Sequence, residues 1–379
     1  MAEGWDIPIE GLEVSAFTIP TSSPEADGTL AWDETTIVTV AACAGGVCSL
    51  GYSYAAVAAA QLIDATLRSC VLGKSAAAVP AAWRAMVQAI RNLGRPGISS
   101  MAIAAVDNAL WDLKARLLHV PLVGLLGAAK EAIPVYGSGG FTSYSVAQLQ
   151  EQLKGWAAEG IEAVKMKIGT HPEQDAGRVT AARQAIGPDV RLYVDANGAY
   201  TRKQALEMAE TFGELNVTWF EEPVSSDDLD GLRLIRDRAP AGMEIAAGEY
   251  GYDAWYFRRM LEAGAVDVLQ ADATRCAGAS GFLQADALCQ AFHLPLSAHT
   301  APTLHAHLCC ASNATRNVEY FYDHVRIEQM LFDGALRASG GALRPDLSRP
   351  GLGLELKYPE VEKYRVYGNP SASRSLHRK

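Results

Sequence analysis

From residue 128 onward, short apolar runs of strand length alternate with longer segments whose apolar positions recur at helical spacing. The runs are IPVYGSGGF, AVKMKIG, RLYVDANG, VTWFEEPV, EIAAGEY, VDVLQADA, LPLSAHTA and VEYFYD. Between them lie patterns such as SVAQLQEQLKGWAAEG, TRKQALEMAETFGEL and AGASGFLQADALCQAFH. Strands alternating with helices predict a parallel sheet, and eight such repeats favour closure into a barrel. An open doubly wound sheet is the alternative, but no GxGxxG follows a strand to recommend it. The stretch after the eighth run, DGALRASGGALRPDLSRPGLG, is irregular, so the last helix is expected to be missing or replaced.

The pattern before residue 128 differs. Two strand-like runs, LEVSAFTI and TTIVTVAA, flank the polar stretch PTSSPEADGTLAWDE, which reads as a long loop and hence as functional or disordered. Helical segments follow: YAAVAAAQLIDATLRSCVLG and PAAWRAMVQAIRNLG each end at a glycine, and SSMAIAAVDNALWDLKARLLH opens with a serine cap. This makes an α+β unit ahead of the barrel. The final GNPSASRSLHRK reads as loose and solvated.

The 379 residues exceed what one core usually organises, in keeping with two domains. A formal charge of −10 argues against binding nucleic acid by counterion release. No apolar run is long enough to span a bilayer, and MAEGWDIPIEG lacks a basic segment followed by an apolar one. Seven cysteines (Cys43, Cys48, Cys70, Cys276, Cys289, Cys309, Cys310) form no CxxC, and their odd number speaks against a disulfide framework or structural zinc. Most are expected to be small buried thiols in a reducing, cytoplasmic setting.

Barrel chemistry gathers at the carboxyl ends of strands. The residues ending successive runs are Lys165 with Lys167, Asp195 with Asn197, Glu221, Glu249, Asp272, His299 and Glu319. Their spacings of 30, 26, 28, 23, 27 and 20 residues each approximate one strand–helix unit, so they converge on one mouth. Asp195, Glu221 and Glu249 end consecutive strands, and oxygen-only ligation with room for substrate suits Mg²⁺. Glu221 and Glu222 compete for the middle position, since alternation turns one inward and the other outward. Asp272 is placed to hold His299 in one tautomer and raise its basicity. His305 and His307 fall on the following helix and carry no assigned chemistry. Lys165 and Lys167 share one strand face, where a cation and a second lysine disfavour the ammonium form of Lys167 and suit it as a base. Lys165 remains charged to bind an anionic group; the alternative is that both lysines are counter-ions to the three acids.

This constellation resembles the enolase superfamily, and within it the mandelate racemase-like subgroup. The matching elements are KMK at 165–167, VDANG around Asp195, FEEP around Glu221, AAGE ending at Glu249, QADAT around Asp272, SAHT around His299 and NVEY around Glu319. The resemblance implies an α/β fold, a modified TIM barrel of (β/α)7β type, with an α+β capping domain formed by the N-terminal part and the C-terminal tail. The corresponding boundaries are 1–127 for the cap, 128–340 for the barrel and 341–379 for a segment returning to the cap. It further implies one Mg²⁺ per subunit on Asp195, Glu221 and Glu249, a metal-bound substrate carboxylate, and removal of its α-proton to give an enediolate. Negative charge would develop on an oxygen faced by Lys165 and a protonated Glu319, whose pKa must therefore be raised.

Two outcomes use the same residues. If Lys167 and the His299–Asp272 pair act on one carbon, the enzyme is a racemase or epimerase of a 2-hydroxy acid. If one of them protonates a departing β-hydroxyl, it is a dehydratase converting an aldonate or aldarate to a 2-keto-3-deoxy acid, the commoner activity among members with this pair. Asn197, Lys165 and Glu319 are expected to contact substrate. Specificity is expected from Thr21–Thr35, from LGYSY at Leu50–Tyr54 including Tyr52, and from GSGGFTSY including Ser138. The absence of a basic cluster there favours a monoacid, with Arg275 as the residue able to overturn that. Family members commonly form homo-oligomers. A metal-dependent hydrolase would need histidines on the first barrel strand, and a non-catalytic barrel would have lost a key group; the chain has neither feature.

Overall fold

The computed structural model describes residues 6–368. The readings of the tail at 369–379 and of the first five residues lie outside these. The cap begins with strands β1 (Gly11–Ala26), β2 (Ala31–Ala44), β3 (Val47–Cys48) and β4 (Gly51–Tyr54). β2 pairs antiparallel with β1, β3 and β4. Alternation along these strands serves two cores. Leu12, Val14, Val38 and Val40 pack on the cap helices, whereas Phe17, Ile19, Ile37 and Tyr52 join the core that continues into the barrel.

The stretch PTSSPEADGTLAWDE is not a loop. β1 and β2 run through it as a long hairpin, with Glu25 opposite Trp32 and Ala26 opposite Ala31, after a register shift between Pro20 and Glu25. Cys43 and Cys48, expected as free thiols, are joined by a disulfide. The Gly45–Gly46 turn, with φ of 56° and 77°, places them directly opposite one another across β2 and β3. The serine cap is likewise corrected: Gly97 precedes the helix Ile98–Leu117, and Ser100 lies within it, donating to the Tyr252 carbonyl at 2.7 Å. That helix ties the cap to the barrel through Asn108, which donates to the carbonyls of Tyr52 and Ala273 and accepts from the Ala279 N–H.

The barrel strands are β5 (Ile133–Gly139), β6 (Ala163–Lys167), β7 (Arg191–Asp195), β8 (Val217–Glu221), β9 (Glu244–Ala247), β10 (Val268–Ala271), β11 (Leu296–Ala298) and β12 (Thr315–Phe321). All neighbours are parallel, and β12 pairs with β5 to close the ring. The N-termini of two intervening helices are fixed by Ser145–Gln148 and Thr201–Gln204 capping boxes. A plug containing Tyr136, Tyr193 and Trp219 fills the interior. The eighth strand runs directly into a ten-residue helix, Tyr322–Leu331, so the last helix is short rather than missing; the irregular stretch begins after it. The chain then forms β13 (Phe332–Asp333), β14 (Ala342–Leu343), β15 (Glu355–Leu356) and β16 (Arg365–Tyr367). β14 lies antiparallel beside β5, and β16 returns to pair with β1 of the cap. Among the described residues no helix is long and apolar enough to cross a membrane.

His307 gives this scaffold an acid sensitivity. Its Nδ1 accepts the Val123 N–H at 3.4 Å, and burial lowers its pKa to about 4 although the Leu352 carbonyl pulls the other way. The folded pKa is depressed below the ordinary value near 6.5, so the stabilisation is complete above that pH and is lost as pH falls toward 4. The loss from this group is on the order of 3 kcal/mol at its limit. A His307→Gln variant should melt lower than the parent at pH 8 and lose less on acidification to pH 5; equal slopes of melting temperature against pH would exclude the effect.

Candidate active site

The strand ends do meet at one height. Lys167 stands beside Asp195 in the β6–β7 register, and Asp195 stands beside Glu221 in the β7–β8 register. Glu249, Asp272 and His299 follow the ends of β9, β10 and β11, while Glu319 lies within β12. All of these side chains are buried, with Lys165, Asp195, Glu221 and Glu319 fully so.

Asp195, Glu221 and Glu249 each offer a carboxylate oxygen, and the three oxygens lie within 4.8 Å of one another. Burial and the charge of Asp195 push the Glu221 carboxyl up to about 8, although Lys165 opposes them. The cluster therefore favours added positive charge, and its all-oxygen donor set fits a hard divalent cation such as magnesium. Lys165 Nζ already bridges the group, at 2.5 Å from Glu221, 2.8 Å from Glu319 and 3.3 Å from Asp195. Lys167 pairs with Asp195. In this arrangement both lysines act as counter-ions.

Several expectations are corrected here. Burial and Lys165 lower the Lys167 pKa, in the expected direction, while the Asp195 charge, until a cation engages it, more than reverses this and holds the ammonium form. Burial likewise raises Glu319, yet Lys165 and His299 bring its carboxyl down to about 2, so it is ionised where a protonated acid was expected. Glu222 does not turn outward. A left-handed backbone, φ 38°, ends the strand there, and the side chain is buried where burial and the charges of Glu249 and Asp195 raise its pKa strongly. Ser138 does not line the cavity but donates to Glu319 Oε1 at 2.6 Å. Tyr52 is fully buried and donates to Glu328 Oε1 at 2.6 Å, so it too is withheld from substrate.

His299 Nδ1 lies 2.9 Å from Asp272 Oδ2, and its Nε2 faces Glu249 Oε2 at 3.1 Å and Glu319 Oε2 at 3.5 Å. Burial lowers the imidazole pKa, but the charges of Glu249 and Glu319 carry it up to about 9. His305, to which the sequence assigned no chemistry, holds this pair in place. Its Nδ1 donates to the Thr300 carbonyl at 2.7 Å and its Nε2 accepts the Ala273 N–H at 2.9 Å, clamping the segments after β10 and β11 together. Positive φ values at Asn197, Glu222, Thr300 and Ala301, from 38° to 52°, ring the same mouth. Such strain persists where the surrounding structure enforces it, typically at functional sites.

Above the carboxylates lies a cavity of about 560 Å³. Lys167, Asn197, Glu249, Asp272, Arg275 and His299 face it from the barrel, and Asp27, Trp32, Glu34, Thr35 and Tyr54 from the cap. Tyr54, at the end of the expected specificity segment Leu50–Tyr54, is a wall residue, and two more, Thr300 and His324, were not singled out from the sequence. The signal for His324 was its place, five residues beyond Glu319, on the first turn after the last barrel strand. The hairpin tip is fastened over the mouth: Thr142 and Thr170 donate their hydroxyls to the Asp27 carbonyl, and the Thr142 N–H donates to the Ala26 carbonyl. Gly28 permits this approach, since a Cβ there would lie 2.4 Å from the Ala196 carbonyl oxygen.

Sequence profiles of two domains match the chain: "Mandelate racemase / muconate lactonizing enzyme, N-terminal domain" over residues 16–127 and "Enolase C-terminal domain-like" over 148–361. The chain belongs to the mandelate racemase / muconate lactonizing enzyme family. As a member of this family of the enolase superfamily it is an enzyme of lyase or isomerase type. A mandelate racemase/muconate lactonizing enzyme-like protein from Rubrobacter xylanophilus is 54% identical, with a TM-score of 0.93 over 95% of this chain and 100% of that one. The 3,6-anhydro-alpha-L-galactonate cycloisomerase of Streptomyces coelicolor is 32% identical over 85% of this chain and 89% of its own length. The L-talarate/galactarate dehydratase of Salmonella typhimurium LT2, liganded with Mg and L-lyxarohydroxamate, is 26% identical with a TM-score of 0.88, over 97% of this chain and 95% of that one. Magnesium is the family cofactor that the carboxylate triad is placed to bind.

Proposed function

We propose that the protein removes the proton α to the carboxylate of a sugar acid and expels the β-hydroxyl, releasing a 2-keto-3-deoxy acid. The observation carrying this reading is the placement of two proton-transfer groups on either side of the triad. Asp195, Glu221 and Glu249 come from consecutive strands, with Lys167 before them on β6 and the His299–Asp272 pair after them from β11 and β10. A magnesium ion bound by the triad would supply positive charge beside the substrate carboxylate.

The remaining roles belong to the chain's own side chains. Lys165, held charged by Glu221, Glu319 and Asp195 against the effect of burial, stabilises the negative charge that develops on the substrate carboxylate as the α-proton leaves. Lys167 takes that proton once Asp195 is engaged elsewhere, because burial and Lys165 then act together to lower its pKa. His299, in its imidazolium form, can donate to a departing hydroxyl, with Asp272 fixing its Nδ1–H. The racemase alternative uses His299 to return a proton to the same carbon. It is disfavoured by the hydroxyl-bearing and acidic cap wall, which suits a polyol chain.

The test is incubation of the Mg²⁺-loaded enzyme with a library of sugar acids in D₂O, followed by NMR. α-Deuteration together with a 2-keto-3-deoxy product supports dehydration; deuterated or inverted acid without elimination supports the racemase; no exchange with any hydroxy or sugar acid excludes both. The docked hairpin gives a second expectation. Gly28→Val should lift the tip from β7 and lower kcat/KM roughly 10²-fold while leaving the melting temperature nearly unchanged. Unchanged kinetics would show that the tip does not close the site.

A further inference from the structure

We infer that His324 is a specificity-determining residue, a neutral hydrogen-bond donor that reads a hydroxyl of the substrate, and that this substrate is a monocarboxylate rather than a dicarboxylate. This inference rests on the sugar-acid reading above and deepens it.

Three contacts fix the imidazole of His324. One face stacks on the Tyr54 ring, with centroids 3.4 Å apart and planes at 13°, and an edge meets Phe321 at 5.1 Å. The Ala301 N–H donates to Nδ1 at 3.4 Å, which makes Nδ1 the acceptor and places the proton of the neutral ring on Nε2. Burial lowers the pKa to about 3, so the neutral form persists through the physiological range. No hydrogen bond joins Nε2 to any of the described residues, and His324 is a wall residue of the catalytic cavity. A rigid, uncharged donor in that position matches a hydroxyl oxygen. It lacks the charge that would offset desolvation of a second carboxylate.

The other wall groups agree. Lys167 and Arg275 are the lysine and arginine among the described cavity residues, and both are engaged. Lys167 pairs with Asp195, while Arg275 reaches Glu249 Oε1 at 3.2 Å and Asp272 Oδ2 at 3.7 Å. Arg275 thus belongs to the catalytic carboxylates and does not supply a distal anion site. On the cap side the charged wall residues are Asp27 and Glu34, both acidic. Asp27 is occupied in capping its own turn through the N–H groups of Thr29 and Leu30, and Glu34 is exposed at the rim. A second carboxylate at this end would meet like charge without compensation.

The experiment measures kcat/KM and α-proton exchange of the Mg²⁺-loaded enzyme on aldonates and on aldarates of matched configuration. Singly deoxygenated aldonates are then compared between the parent, His324→Phe and His324→Gln. The expected result is turnover of an aldonate at least about a hundredfold better than its matched aldarate. One deoxy position should lose about tenfold in kcat/KM with the parent, mainly through KM, but not with His324→Phe. His324→Gln, which keeps an N–H donor, should restore part of that difference, and melting curves of each variant separate this from loss of folding. Preference for an aldarate overturns the inference while leaving the dehydratase reading intact. Equal losses in parent and His324→Phe at every deoxy position overturn the role of His324. Absence of exchange with all acids removes the sugar-acid reading itself, and this inference with it.

Discussion

A Lys167→Ala variant is expected to lose α-proton exchange by roughly 10²- to 10⁴-fold, the span of a positioned general base. Burial and Lys165 lower the pKa of this lysine, while Asp195, and after it Glu249 and Glu319, raise it. Engagement of Asp195 by a cation weakens the largest opposing influence, so the exchange rate of the parent should rise with pH as the ammonium gives up its proton. The variant should also bind magnesium at least as well as the parent, because the competitor for Asp195 has been deleted. Deuterium incorporation followed by NMR, with calorimetric magnesium titration alongside, reads both effects. Exchange at the parental rate would place the base elsewhere.

The second large effect concerns His299→Asn. Dehydration should fall by a comparable factor while magnesium still binds, since His299 faces Glu249 without being one of the three carboxylates. The pattern of exchange in this variant separates the two chemistries. A dehydratase with Lys167 as base continues to exchange the α-proton and fails to expel the hydroxyl. A racemase retains exchange for only one enantiomer, the one whose proton faces Lys167. Magnesium binding by the parent should also tighten as pH rises from 7 to 9. The imidazolium, with a pKa of about 9, is a proton-dependent competitor for Glu249, and that dependence should weaken in His299→Asn. Loss of magnesium binding in the variant would mean that the histidine has been misplaced.

The barrel and its strand-end groups were legible because each polar residue interrupts an apolar run at a regular interval, and strand parity then fixes which side chains face inward. What parity does not convey is height or long-range charge. Tyr52 and Tyr54 are two residues apart on β4, yet Tyr52 ends at Glu328 in the core, while Tyr54, at the strand end, reaches the cavity. The ionised state of Glu319 depends on Lys165, which lies 154 positions earlier in the chain, and no local pattern reports it. Glu222 escaped for a local reason: the left-handed turn after β8 breaks the alternation on which an outward orientation relied. The polar hairpin was taken for a loop because its outer face contacts solvent and its tip contacts the barrel mouth, leaving no hydrophobic alternation to mark the strands.

The pairing of β16 with β1 sets an order of assembly. Arg365 lies opposite Phe17 and Tyr367 opposite Ala16, so this edge of the cap's sheet stays open until residues 365–367 have been made. All eight barrel strands leave the ribosome before it is closed. In a nascent chain the earliest strand therefore presents unpaired backbone groups while the barrel is already able to form. A chain stopped short of residue 365 carries every catalytic group named above and still displays an uncovered strand edge to its neighbours.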